Sequence, residues 1–273
     1  MSTTQLNTAA GEFRIDLQGP DEAPVLVFSN SLGTTLEMWE QQARALRETY
    51  RVLCYDTRGH GGSVCSAGPY RFAQLGHDVL AILDALEIDR AHFCGISMGG
   101  LTGLWLGVHA GARLRSIAVC NSAARIGEAP AWLARAAMVR EQGPKGMRSL
   151  ADSAPTRWFT EAFMAAQPTV VRQAQEWIAG IAPEGYASCC EALAVEDLRP
   201  ALAGIAVPTL LIAGTHDPVT TVADAEAMQA AISAAEMACV PASHLSNLEA
   251  PDAFLEALGG FLRRQSGRGD AQP

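Results

Sequence analysis

Short apolar runs alternate with longer segments of helical spacing along most of this chain, and that alternation limits what it can fold into more than any other feature. Runs at 13–17, 24–30 and 51–56 read as strands, with a helical segment at 38–50 between the last two. Over 72–86, Leu75, Val79, Leu80, Leu83 and Leu86 fall at helical spacing. A strand at 91–95, a helix at 98–110 and a strand at 114–121 follow. Strands alternating with helices predict an α/β fold, with a mostly parallel sheet covered on both faces. The rhythm breaks over about 125–199, where only helical patterns occur and where Trp132, Trp158 and Trp177 lie. It returns with a strand at 208–214, a helix at 222–232, a strand at 235–240 and a closing helix at 252–264. The break reads as a helical insertion, a lid over the carboxyl edge of the sheet. The expected division is a core of 1–122 and 203–265, a cap of 123–202, and a polar, disordered tail of 266–273.

A length of 273 residues suits one large domain or a core carrying such an insertion. With 49% hydrophobic and 18% charged residues, the chain can bury a sizeable core. The net charge of −9 disfavours nucleic acid and anionic membranes as partners, so any recognition of an anion has to be local. The opening Met1-Ser2-Thr3-Thr4-Gln5 has neither the basic nor the apolar region of a signal peptide, and no apolar stretch reaches membrane-spanning length. Of seven cysteines, Cys54, Cys94, Cys120 and Cys239 sit in apolar, strand-like runs and are expected to be reduced and buried. Cys189 and Cys190 are adjacent and not expected to pair. No Cys/His spacing fits a metal site, and a reducing, cytoplasmic compartment is expected.

Gly95-Ile96-Ser97-Met98-Gly99 matches G-x-S-x-G, and its setting gives the match its weight: a strand runs into it and a helical segment leaves it. That strand–turn–helix places Ser97 in a strained conformation at a helix N-terminus, as an activated nucleophile requires. A serine nucleophile needs a base, and the base needs an orienting acid, in the chain order Ser, acid, His. His244 lies in the loop after the strand at 235–240; His60, His77 and His92 precede Ser97, His109 lies on the following helix, and His216 adjoins the acid candidate. Asp217 follows the strand at 208–214, at a carboxyl end that faces the site in an open α/β sheet. Asp152 and Asp197 fall in the insertion, Asp224 starts a helix as a cap, and the strand ending at Asn121 offers no carboxylate. Two backbone N–H groups should form an oxyanion hole: Met98, and Leu32 in the Ser29-Asn30-Ser31-Leu32-Gly33 loop. The Gly-rich turn Tyr55–Ser63 lacks phosphate-loop spacing and reads as scaffolding at the rim.

With these residues in view, the chain resembles the α/β-hydrolase superfamily and, within it, bacterial 3-oxoadipate enol-lactonases. The resemblance is carried by segments 27–34, 55–61, 92–103, 120–127 and 183–193, which span the insertion as well as the core. It implies hydrolysis of 3-oxoadipate enol-lactone to 3-oxoadipate in aromatic catabolism, through an acyl-enzyme on Ser97 and with no metal or organic cofactor. The implied substrate carries a carboxylate, for which Arg125, Arg135 and Arg157 are the candidate lid cations, Arg135 foremost, with Trp132 and Trp158 as candidate pocket walls. Trp132 and Arg135 stand one helical turn apart. The same triad would serve a general carboxylesterase or a cofactor-free perhydrolase; a hydrolase-fold binding protein without turnover is the remaining reading. Dehalogenases and epoxide hydrolases use Asp where this chain has Ser97.

Overall fold

The computed structural model describes residues 1–269. Eight strands form one sheet: β1 (Thr4–Thr8), β2 (Gly11–Gln18), β3 (Val25–Ser29), β4 (Arg51–Tyr55), β5 (Ala91–Ile96), β6 (Leu114–Cys120), β7 (Thr209–Gly214) and β8 (Ala235–Val240). Their order is β1-β2-β4-β3-β5-β6-β7-β8. The first two pairings are antiparallel, and from β4 onward all neighbours run parallel. The expected mostly parallel sheet is thus present, with an antiparallel edge that includes β1. That strand, Thr-Gln-Leu-Asn-Thr, is polar and largely exposed, so it carries no apolar alternation to announce it.

The strands β3, β5 and β7 are buried along their whole length, which requires cover on both faces. Twelve helices are described: α1 (Glu40–Leu46), α2 (Phe72–Ala85), α3 (Met98–His109), α4 (Ala129–Gln142), α5 (Pro144–Ser153), α6 (Pro155–Trp158), α7 (Glu161–Ala166), α8 (Pro168–Gly180), α9 (Pro183–Val195), α10 (Val222–Ala231), α11 (Ser246–Glu249) and α12 (Pro251–Gly269). Phe93 packs under α3 at Gly103, while Phe28, opposite Cys94 in the ladder, faces the other way. Phe28 stacks on Trp39 at 4.5 Å, and Trp39 meets Phe254 of α12. Six helices, α4 to α9, lie between β6 and β7, in the region expected to form the cap; within it α4 packs on α9 and α5 on α8.

The local differences have physical reasons. The helix expected over 38–50 divides into a 3-10 turn, Leu36–Trp39, and α1. Cys239 is exposed rather than buried, because β8 is the sheet edge and lacks a neighbour on one side. The closing helix runs to Gly269, and residues 270–273 of the expected disordered tail lie outside the described residues. All seven cysteines are free, and among the described residues no helix is long and apolar enough to cross a membrane.

Candidate active site

Ser97 occupies the turn between β5 and α3 with φ 56° and ψ −115°. A non-glycine residue pays on the order of 1–3 kcal/mol for that region, so the surroundings must hold it there. They do so through the Ser97 N–H, which donates to Cys120 O at 3.0 Å, and through Ser122 Oγ, which donates to Ser97 O at 2.7 Å. The flanking glycines are steric necessities. A Cβ on Gly95 would sit 2.2 Å from Gly99 O, and one on Gly99 would sit 2.3 Å from Ser29 O. Ser97 therefore stands at the N-terminus of α3, where free N–H groups and the helix dipole favour negative charge.

Asp217 and His244 come from the loops after β7 and β8, 27 residues apart, and meet: His244 Nδ1 lies 2.8 Å from Asp217 Oδ2. The carboxylate accepts four further hydrogen bonds, from the N–H groups of Val219 (2.7 Å) and Thr220 (3.1 Å), Thr220 Oγ1 (2.9 Å) and Asn121 Nδ2 (3.0 Å). Burial alone would raise its pKa. The charge and hydrogen bond of His244, with the Asn121 and Val219 donors, outweigh burial and hold it below the usual carboxylate range. With Nδ1–H donating to Asp217, Nε2 of His244 is the ring nitrogen left to accept a proton. The rival histidines are placed elsewhere: His216 is exposed beside Thr215, and His109 packs on Trp105 at 4.7 Å. The rival acids are also engaged elsewhere, Asp224 in a capping box with Thr221 and Asp197 in an ion pair with Arg199.

Ser97, His244 and Leu32 line one cavity of about 200 Å³. Met98, the first residue of α3, follows Ser97 but is not itself among the cavity-lining residues, and among the described residues neither the Leu32 nor the Met98 N–H donates to a protein acceptor. The turn that carries Leu32 is fixed by the next residue. Gly33, at φ 84°, donates its N–H to His60 Nε2 at 2.9 Å. His60 is buried, and burial, partly opposed by its hydrogen bond to Arg58 O, lowers its pKa to about 4, so it is neutral and can accept. The Gly-rich turn read as scaffolding thus holds the loop that bears Leu32.

The segment between β6 and β7 supplies most of the remaining wall, including Glu128, Trp132, Arg135, Arg157, Trp158 and Tyr186. The Arg135 guanidinium stacks over the Trp132 ring at 4.8 Å, and Trp132 Nε1 donates to Ile126 O at 2.6 Å. Among the described residues neither Arg135 nor Arg157 has an ion pair. Burial, and then the charge of Arg135, pull the Arg157 pKa below its ordinary value. Burial pushes the Tyr186 hydroxyl's pKa up, against the pull of both arginines. Arg125, the third lid candidate, is outside this cavity and pairs with Glu128 at 2.8 Å. The cavity is small beside the 300–1,000 Å³ typical of clefts for drug-sized ligands, so it suits a compact molecule. Asn121 carries no charge and no motif to mark it in the sequence; its role shows only in its bond to Asp217. Tyr186 belongs to the 183–193 segment, whose helical pattern does not show which side chains face the cavity.

Residues 24–251 match the alpha/beta hydrolase fold family. The chain is 51% identical to 3-oxoadipate enol-lactonase 2 of Acinetobacter baylyi, across 90% of this chain and 91% of that one. It is 47% identical to 3-oxoadipate enol-lactonase 1 of the same organism, across 91% and 92% respectively. Its structure superimposes on the crystal structure of the enol-lactonase from Burkholderia xenovorans LB400 with a TM-score of 0.92 and 44% identity, covering 95% of this chain and 100% of that one. The chain belongs to the alpha/beta hydrolase fold family, with 3-oxoadipate enol-lactonases among its near relatives.

Proposed function

We propose that this protein hydrolyses a compact, carboxylate-bearing enol-lactone, 3-oxoadipate enol-lactone, to 3-oxoadipate through an acyl-enzyme on Ser97. The names of the two Acinetobacter relatives and of the Burkholderia structure support the reaction. The observation that carries the substrate assignment is the pair of acid-free arginines, Arg135 and Arg157, in the wall of the cavity that Ser97 lines. Two neighbouring cations raise each other's cost until an anion arrives, and a guanidinium offers a carboxylate a planar fork of donors.

The chemistry follows from the placement. His244 Nε2 takes the Ser97 proton as Oγ bonds to the lactone carbonyl carbon, and Asp217 orients the ring and stabilises the imidazolium. The N–H groups of Leu32 and Met98 receive the oxyanion, at the positive end of α3. The carbon–oxygen ring bond then breaks. It releases an enolate, which takes the proton held by His244 to become the ketone and remains attached through the acyl chain, leaving His244 neutral. His244 next draws a proton from water, which attacks the acyl carbon and returns Ser97 to its hydroxyl form.

Turnover of the enol-lactone is to be compared with that of a neutral aryl ester of similar size. The expected result is kcat/KM at least ~100-fold higher for the lactone, about 3 kcal/mol of differential binding. Equal turnover of both would instead favour a general esterase, and failure to react with a fluorophosphonate would favour a binding protein.

A further inference from the structure

The two residues beside His244 are tied to the cap segment that walls the cavity. Leu245 N–H donates to Trp158 O at 3.1 Å, and Ser243 Oγ donates to Arg157 O at 3.4 Å. A single carboxylate closes the bracket. Glu249, the last residue of α11, accepts the Ser243 N–H at 2.9 Å through Oε2. It also accepts the Thr160 N–H, at 3.2 Å through Oε1 and 3.4 Å through Oε2, and makes a short hydrogen bond with the Thr160 hydroxyl. Thr160 follows Trp158 by two residues and caps α7, with its Oγ1 accepting the Phe163 N–H at 3.3 Å. The chain thus runs in a closed ring from His244 through Ser243, Glu249, Thr160 and Trp158 to Leu245.

We infer that Glu249 is a positioning residue that couples the cap seat of the substrate, at Arg157 and Trp158, to the placement of His244. The inference rests on the reading of His244 as the base. A carboxylate has about four lone-pair positions, so one side chain can hold donors from two segments far apart in the chain. Hydrogen bonds to an ionised acceptor are roughly twice as strong as neutral ones, which suits a joint between two segments far apart in the chain. The base sits mid-bracket, with one anchor on each side, so a shift of the Arg157–Thr160 segment is passed to both of its neighbours. Catalytic placement tolerates little: an error of about 1 Å costs on the order of 100-fold in rate. A substrate that engages Arg157 and Trp158 therefore bears on the same short segment that fixes His244.

The experiment uses the full chain as Glu249→Ala, Glu249→Gln and Thr160→Val, with His244→Ala as reference. Three readouts are taken: kcat and KM on the enol-lactone, the rate of Ser97 labelling by a small neutral fluorophosphonate, and thermal stability. Glu249→Ala is expected to lower kcat and the labelling rate together, by about 10- to 100-fold, with KM within about threefold of the parent. Glu249→Gln keeps one acceptor oxygen for Ser243 and is expected to recover part of both rates. Thr160→Val removes one donor to the carboxylate together with the α7 cap, and is expected to lower both rates by about 3- to 10-fold, with Thr160→Ser, which keeps the hydroxyl, at parental rates. A Glu249→Ala protein that melts earlier but keeps parental kcat and labelling would make Glu249 a structural staple and overturn the inference. If Glu249→Ala does not fold, Thr160→Val decides, and parental rates there overturn it equally. Activity surviving in His244→Ala would instead sink the reading of the base itself.

Discussion

Asn121 Nδ2 donates to Asp217 Oδ2 at 3.0 Å from the end of the neighbouring strand, with Asn121 held at φ 42°. The same amide donates to Ser243 O at 3.1 Å, and its Oδ1 accepts from Ser246 Oγ at 2.5 Å. One buried side chain therefore joins the acid loop to the base loop. Replacing Asn121 with Leu leaves all three partners short of a bond. It should cost about 2–4 kcal/mol in urea unfolding and lower kcat by at least ~10-fold. Asn121→Asp sets a second carboxylate against Asp217, so one of the two pKa values must rise. The acid limb of its kcat/KM profile is expected to move to higher pH.

Two buried histidines make stability pH-dependent. His60 and His92 both have pKa values lowered to about 4, chiefly by burial, while the unfolded chain protonates near its ordinary value of about 6.5. Between those values the unfolded state binds more protons, so stability must fall as the pH drops through that window. Each full shift corresponds to roughly 3 kcal/mol. Chemical unfolding at pH 7 and pH 5 should show the drop, and His60→Gln should flatten it. The same variant loosens the Gly33 N–H contact, so kcat is expected to fall at pH 7 as well.

The turn at Ser97 tolerates no methyl group. In Gly99→Ala the new carbon would press against backbone, at Ser29 O, which cannot give way as a side chain can. A loss of about 3 kcal/mol or more is expected, with activity abolished. Gly180→Ala is the contrast: a Cβ there meets nothing within 4 Å, at the end of α8. It should be neutral or raise stability by up to about 1 kcal/mol, which differential scanning calorimetry can read.

Removal of the cavity cations should separate binding from chemistry. Arg135→Met and Arg157→Met are each expected to raise KM for the carboxylate-bearing lactone by about 10- to 100-fold. Neither should change kcat/KM on a neutral ester more than about threefold. Arg125→Met, outside the cavity, removes the partner of Glu128, which does line it, and should raise KM for the lactone less than loss of either cavity arginine.

Much of this was legible in the sequence because periodicity and chain order are local properties. The alternation of apolar runs gave the parallel strands from β3 to β8, and the setting of Ser97 between strand and helix gave the turn. Chain order then brought Asp217 and His244 to one place. What remained illegible depends on the far side of a contact. β1 is an edge strand with no apolar face to read. Cys239 sits in an apolar run, yet only the sheet order shows that its strand is the edge. Asn121 is an ordinary strand-end amide until the loops that it joins are folded around it. Arg135 and Arg157 could not be told from Arg125 by composition, since the difference is whether Glu128 is within reach.

The central claim is that Ser97 is the nucleophile of enol-lactone hydrolysis. The most direct measurement follows the loss of 3-oxoadipate enol-lactone with the parent protein and with Ser97→Ala. Removal of a nucleophile from a triad of this type costs about 10⁶-fold in kcat. The account predicts rapid loss with the parent and a rate lowered by about 10⁶-fold with the variant. A Ser97→Ala rate within a few-fold of the parent, with the variant folded, would contradict it.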